Sequence, residues 1–424
     1  MDILIADVIG DVALVLVVSS LLGALARRWG QPRVIGQILA GIMLGPSLLG
    51  RLPGHLTSRL FPHAVLPSLT VLAQVAVVIF MFVVGYELDR RSLSGRRRAA
   101  VLVAASALLV PMSLGSGAVL IFKSEFAALG QSHISHSFVL FMGVAMSITA
   151  LPVLAAIARE RGIAGTTAGA TATSAAGLMD VTAWLVLAAL AGTVHKPGRP
   201  WPVTALLFGC FAAIMLLAVR PALRWWISRR RSVVSNQWPV ALALALGSAW
   251  VTASLGLHPV FGGFLAGLTM PSADGSPDPE VLRPMEEVGG LLLPLFFVVT
   301  GLSLNVSALS GTAFIVLALI CAIAIGGKLG PAYVASRVGG LGSRDSATVA
   351  VLVNTRGLTE LIALNVGLSA GLIDRRLFSV LVLMALITTL ATAPLLMLIR
   401  APSMPVSASE RRPVAPPPIS ASEP

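Results

Sequence analysis

Apolar residues in this chain come in long, nearly unbroken runs separated by short, arginine-rich segments. A helix of about 17–25 mainly apolar residues crosses the hydrocarbon core of a bilayer. Such windows recur about thirteen times, near residues 8–26, 33–50, 66–87, 99–121, 137–157, 165–192 and 202–220, then 237–255, 257–270, 289–304, 311–335, 346–368 and 377–399. The pattern predicts an all-α integral membrane protein in which residues 1–400 form one transmembrane domain. Residues 401–424, rich in Pro, Ser and Ala, read as a disordered cytoplasmic tail.

Composition agrees. The 424 residues are 56% hydrophobic and 11% charged, with a mean hydropathy of +0.90, values outside the range of soluble domains. Met1 to Ala6 lack a basic n-region and are followed by Asp7, so no cleaved signal peptide is expected. The net charge of +12 does not indicate nucleic acid, because its distribution follows the loops. Arg27, Arg28 and Arg33 fall in one loop, Arg90, Arg91 and Arg96 to Arg98 two loops later, and the alternation continues through Arg159, Arg161, Arg220, Arg224 and Arg229 to Arg231. These alternate loops outweigh the opposite set by about three to one. The positive-inside rule then sets the N-terminus outside and the C-terminus inside the cytoplasmic membrane.

The two halves of the chain resemble each other. Val34-Ile35-Gly36-Gln37-Ile38-Leu39-Ala40-Gly41 in span 2 matches Val260-Phe261-Gly262-Gly263-Phe264-Leu265-Ala266-Gly267 in span 9, and Phe82-Val83-Val84-Gly85 in span 3 echoes Phe297-Val298-Val299-Thr300-Gly301 in span 10. Both pairs lie seven spans apart. An odd separation gives opposite orientations, which is the inverted-repeat plan of secondary transporters. The same offset links two interruptions. Span 5 is broken at Met146-Ser147-Ile148-Thr149-Ala150-Leu151-Pro152 and span 12 at Asn354-Thr355-Arg356-Gly357. Pro152 removes a backbone donor and Gly357 tolerates non-helical angles, so Pro152, Asn354, Thr355 and Gly357 mark half-helices whose ends meet at mid-membrane. A simple proline kink is the alternative for span 5.

Four charges lie deep within the spans: Asp180, Lys328, Arg356 and Glu360. A carboxylate at the bilayer centre costs about 2.5–3.5 kcal/mol on insertion scales, so it is usually kept for an ion or proton pathway. Asp180 can hold a proton or a small dehydrated cation, but not both. Exclusion of one by the other is what exchange requires when the site faces each side in turn. Ser147, Thr149 and Thr182 supply hydroxyl oxygens as candidate co-ligands, and Lys328 is a candidate partner of Asp180 in the ion-free state. Arg356 and Glu360 stand i, i+4, the spacing of a local salt bridge, and read as a structural pair offsetting half-helix dipoles. Helix-to-helix pairing alone is the other reading of all four charges. No nucleotide fingerprint, metal-ligand set or nucleophile–base pair occurs, so no cofactor, metal or enzymatic activity is expected; His133 and His136 read as loop histidines.

The motifs Gly30-Gln31-Pro32-Arg33-Val34-Ile35-Gly36-Gln37-Ile38-Leu39-Ala40-Gly41, Gly85-Tyr86-Glu87-Leu88-Asp89, Met146 to Leu154, Asp180-Val181-Thr182-Ala183-Trp184 and Asn354 to Ile362 together resemble the monovalent cation:proton antiporter superfamily. The resemblance covers residues 10 to 398 and is strongest to the branch of bacterial Na⁺/H⁺ exchangers and Kef-type potassium-efflux proteins. It implies a homodimer, a core that moves like an elevator, crossed discontinuous helices in spans 5 and 12, and Asp180 as the ion-binding residue. Na⁺ or K⁺ and H⁺ are then the substrates. One departure stands out: where electrogenic members carry a second carboxylate that partners a lysine matching Lys328, this chain has Met179. A Kef-type channel-like efflux pathway and a transport-silent paralogue, the latter favoured by Met179, are the competing readings.

Overall fold

The computed structural model describes residues 2–399 apart from 32, 46, 52–56, 58–59, 63, 88–96, 132–133, 194–200, 231–236, 273–276, 303 and 305–310. The expected tail at 401–424 and the arginines at 90, 91 and 96 lie outside the described residues. Among the described residues, helix meets each of the thirteen expected spans and no strand occurs. The first three spans are α1 (Asp2–Arg28), α2 (Arg33–Leu44) and α3 (Leu66–Glu87). Spans 4 to 6 are α4 (Arg97–Ile121), the pair α5 (His136–Ser147) and α6 (Leu151–Glu160), and α7 (Thr167–Thr193). Span 7 is α8 (Trp201–Ile214), continued through a π turn at Met215–Val219 into α9 (Arg220–Arg230). Spans 8 to 10 are α10 (Trp238–Ser254), α11 (Pro259–Thr269) and α12 (Pro279–Leu302). The last three are α13 (Gly311–Val338), the pair α14 (Ser343–Val353) and α15 (Leu358–Ser369), and α16 (Arg375–Ile399).

Two boundaries depart most from the apolar windows. α12 starts at Pro279 rather than near 289, because the Asp278 carboxylate accepts the Glu280 N–H at 2.9 Å and opens the helix ahead of Arg283, Glu286 and Glu287. Span 7 likewise runs on to Arg230 instead of stopping at 220. A hydropathy window measures the stretch that suits hydrocarbon, whereas a helix ends only where its hydrogen-bond ladder does.

The internal repeat is visible atom by atom at glycines. A Cβ on Gly36 would stand 2.2 Å from the Leu22 carbonyl oxygen, and one on its counterpart Gly262 would stand 2.2 Å from that of Ser248. Leu22 and Ser248 are separated by the same offset as the two glycines, so one backbone contact is used twice. The second motif pair repeats this: Gly41 meets Gly301 across α2 and α12, and Gly267 meets Gly85 across α11 and α3. Small residues let membrane helices approach backbone to backbone, and packing is the main attraction left between helices in lipid.

These contacts join α1–α3 and α10–α12 into one body. The second body comprises α4–α7 and α13–α16, with α13 against α4 and α14 against α7. Span 7 connects them, with α8 on α7 and the π turn on α11. Only 11% of its most apolar window is buried, against 94% for span 12. The candidate site therefore lies in the most enclosed part of the molecule.

Candidate functional site

Spans 5 and 12 each break once and cross at the breaks. After Ser147 the chain turns extended at Ile148, and Ala150 N–H donates to the Thr355 carbonyl at 3.0 Å, one backbone rung between the two interruptions. Gly357 has φ +154°, a region that favours glycine, and a Cβ there would stand 2.8 Å from Val153 Cγ2 in α6. Pro152 falls at the second residue of α6, inside the new helix, where its missing N–H is not needed. The break itself is made by Ile148, Thr149 and Ala150.

A crossing of this kind leaves four helix ends inside the protein, two negative C-termini and two positive N-termini. The cations occupy the C-termini. Arg356 donates to the Ala145 and Met146 carbonyls of α5 at 2.8 and 2.5 Å. Lys328, on α13, donates to the Ile148 carbonyl at 2.5 Å, to Thr149 Oγ1 at 2.6 Å and to the Val353 carbonyl that closes α14 at 3.5 Å. One ammonium thus serves the ends of both first half-helices. The anions face the N-termini. Glu360 stands in the first turn of α15, and the Leu151 N–H that opens α6 lies beside the Asp180 carboxylate without making a hydrogen bond to it.

The two anions are not equivalent. Glu360 accepts from Arg356 at 2.6 Å with neither side chain exposed, the i, i+4 pair expected. Asp180 is 1% exposed, and neither carboxylate oxygen has a hydrogen-bond partner. Asn354 Oδ1 and Nδ2 and Thr355 Oγ1, at the break of span 12, are also buried and unpartnered. Buried oxygens without a protein partner thus occur both on α7 and at the break of span 12.

The structure gives each candidate residue a definite set of partners. Lys328 directs its donors to the crossing carbonyls and Thr149 rather than to Asp180. Those acceptors are the dipole ends that break the spans, and they need a donor more than the carboxylate does. Thr182 is exposed, with its hydroxyl on the Leu178 carbonyl at 2.9 Å. Two residues along a helix is roughly 200°, so it leaves the Asp180 face. Thr149 is committed on both sides, donating to the Val353 carbonyl at 2.9 Å and accepting from Lys328. Ser147 is buried and donates within its own helix to Val144 at 2.8 Å. His136 is the first residue of α5 rather than part of a loop, and His133 is outside the described residues. One deep charge escaped the sequence reading: Asp11 in α1 is 6% exposed and Oδ2 has no partner. Its signal was the i, i+4, i+8 stripe with the buried Val15 and Ser19.

Beside the crossing, a cavity of about 580 Å³ separates the two bodies. The first body contributes Val84 and Glu87 of α3 and Glu286 of α12; the second contributes Leu151 and Ala155 of α6 and Thr173 of α7. Leu151 thus lines the cavity while its N–H lies beside the Asp180 carboxylate.

This arrangement can be set beside known proteins. Residues 14–398 match the family profile described as sodium/hydrogen exchanger, transmembrane. The Na⁺/H⁺ antiporter NhaS4 of Synechocystis is 34% identical over 402 residues, covering 92% of this chain and 96% of that protein. Cation/H⁺ antiporter 20 of Arabidopsis thaliana is 36% identical over 407 residues, 92% of this chain and 48% of that one. The chain spans about half the length of the plant relatives it matches. The solved structure of the sodium proton antiporter MjNhaP1 from Methanocaldococcus jannaschii superposes with a TM-score of 0.63 over 93% of this chain and 96% of that one, at 14% identity, a likeness of fold. With inverted repeats, crossed broken helices and a profile match over nearly its whole length, the chain belongs to the transmembrane sodium/hydrogen exchanger family, a family of cation:proton antiporters.

Proposed function

We propose that this protein exchanges a monovalent cation, Na⁺ or K⁺, for H⁺ across the cytoplasmic membrane by alternating access at Asp180. The observation that carries the reading is the Asp180 carboxylate itself, enclosed in the membrane domain with both oxygens unpartnered while every other deep charge at the crossing is tied to protein groups. A buried carboxylate without protein partners takes its counter-charge from outside, as a bound proton or a dehydrated cation. Either occupant excludes the other. Asn354 and Thr355 supply neutral oxygens of the kind that hard alkali cations prefer. The fixed positive ends at the crossing, Lys328 and Arg356, are balanced locally by carbonyls and by Glu360.

Met179, buried beside Asp180, adds no second carboxylate. Exchange on this reading is one proton for one cation and electrically silent. The same reading has the N-terminus outside and the C-terminus inside, and a homodimer as the working unit; crosslinking of single cysteines on the exposed face of α1 tests the assembly. The decisive experiment is proton movement in everted vesicles challenged with Na⁺, K⁺ and Li⁺, with and without an imposed membrane potential. Cation-dependent proton movement that ignores the potential is expected, and Asp180→Asn abolishes it. Near-normal exchange by Asp180→Asn sinks the site, and a rate that follows the potential brings in a second titrating group.

A further inference from the structure

The interface between the two bodies is open at one end and fastened at the other. The cavity occupies one end, reaching Glu87 at the last residue of α3 and Glu286 in the second turn of α12. Farther along α12, roughly 10 Å beyond Leu293, the last residue of that helix to line the cavity, at 1.5 Å per residue, Thr300 meets the second body. Asn365 Nδ2, on α15, donates to Thr300 Oγ1 at 3.3 Å and to the Leu361 carbonyl of its own helix at 2.9 Å. Apolar rings also join the two bodies: Trp184 of α7 stands edge to face on Phe261 of α11 with centroids 6.1 Å apart, and Phe208 of α8 packs on the same ring at 6.5 Å. None of these residues lines the cavity.

We infer that the Asn365–Thr300 hydrogen bond is a clasp that closes the face opposite the cavity and sets the balance between the two access states, making both residues positioning residues of the exchange cycle. The inference rests on the proposed antiport at Asp180 and names residues far from that site. Both amide hydrogens of Asn365 are in use, so its side chain is fixed by Leu361 in the orientation that reaches Thr300. Thr300 is 2% exposed, so parting the bodies here strips one amide hydrogen of its only acceptor in poorly hydrated surroundings. Within either body, α12 and α15 each have their own packing partners. The bond therefore contributes little to holding either body together and acts on their separation. Since a single site must open to each side in turn, the clasp is made in one state and broken in the other.

A cysteine in place of Phe261 reports parting of the two bodies away from the cavity, because that ring is 3% exposed, lies against Trp184 of the other body and does not line the cavity. The free Cys210 and Cys321 are first replaced by serine. In this background, purified protein in nanodiscs is labelled with a soluble maleimide. Thr300→Val and Asn365→Leu each raise the labelling rate about threefold, the population change that one interhelical hydrogen bond in a membrane typically commands. Thr300→Ser, which keeps the hydroxyl, leaves the rate unchanged, and the double variant labels no faster than the faster single one. The inference is overturned if Thr300→Val and Thr300→Ser label alike, or if the two single effects multiply in the double variant. Should Asn365→Leu fail to fold, the Val/Ser pair decides alone. Labelling needs no ion transport, so Asp180→Asn in the same background separates failure of the clasp from failure of the transport site.

Discussion

Asp180 and Glu360 are both carboxylates on buried helices, both close to the positive end of a half-helix, and they differ in what answers their charge. Glu360 has the Arg356 guanidinium at 2.6 Å, and Arg356 in turn holds the last carbonyls of α5. Asp180 has the field of one N–H and of a lysine whose donors are engaged elsewhere. The same chemical group is therefore a strut at one end of the crossing and an unpartnered carboxylate at the other, the feature on which the proposed exchange rests. A charge paired within the protein stabilises one geometry, whereas an unpaired one is costly unless something arrives to neutralise it.

The comparison is sharpest when each carboxylate is neutralised. Asp180→Asn should lose all cation-dependent proton movement while its melting temperature in detergent holds or rises, since an uncompensated buried charge has been removed. Glu360→Gln should do the reverse in stability, losing about 3–5 kcal/mol because Arg356 is left buried and unpaired. Thermal unfolding of the two variants side by side checks both, and equal destabilisation would erase the distinction drawn here. Lys328→Met comes next. It leaves the Ile148 and Val353 carbonyls without their donor, for a loss of about 1–3 kcal/mol, with residual exchange because the lysine is not paired to Asp180. Complete inactivity of a well-folded Lys328→Met at every pH would instead make the lysine a proton carrier. The smallest effect belongs to Thr182→Val. Its hydroxyl serves only its own helix on an exposed face, so exchange rates and cation preference should match the parent within error.

Glycine packing gives the first body, α1–α3 with α10–α12, a contrasting logic. Its close contacts are backbone on backbone, at Gly36, Gly262, Gly41 and Gly85, and were foreshadowed by two short matched motifs. The crossing is built from side chains reaching over long sequence separations, such as Arg356 to Ala145 and Lys328 to Ile148. Repetition of a local motif is legible in a linear chain. The choice of acceptor by a long cationic side chain is not, because several of its acceptors lie on helices far away in sequence, as Ile148 does from Lys328 and Ala145 from Arg356.

By itself, the sequence determined the number and order of the spans, the inverted repeat, the two broken helices and the four charges at the crossing, though not buried Asp11, because each follows from how residues partition between water and lipid or from local backbone freedom. It also specified the Arg356–Glu360 pair, whose partners are one turn apart. Only the tertiary structure decided that Lys328 serves carbonyls rather than Asp180, that Thr182 faces away, that Asn354 and Thr355 carry unpartnered atoms, and that Asn365 meets Thr300. Hydrogen-bond partners are settled by competition among all groups brought within about 3 Å, and that neighbourhood exists only once the helices have crossed.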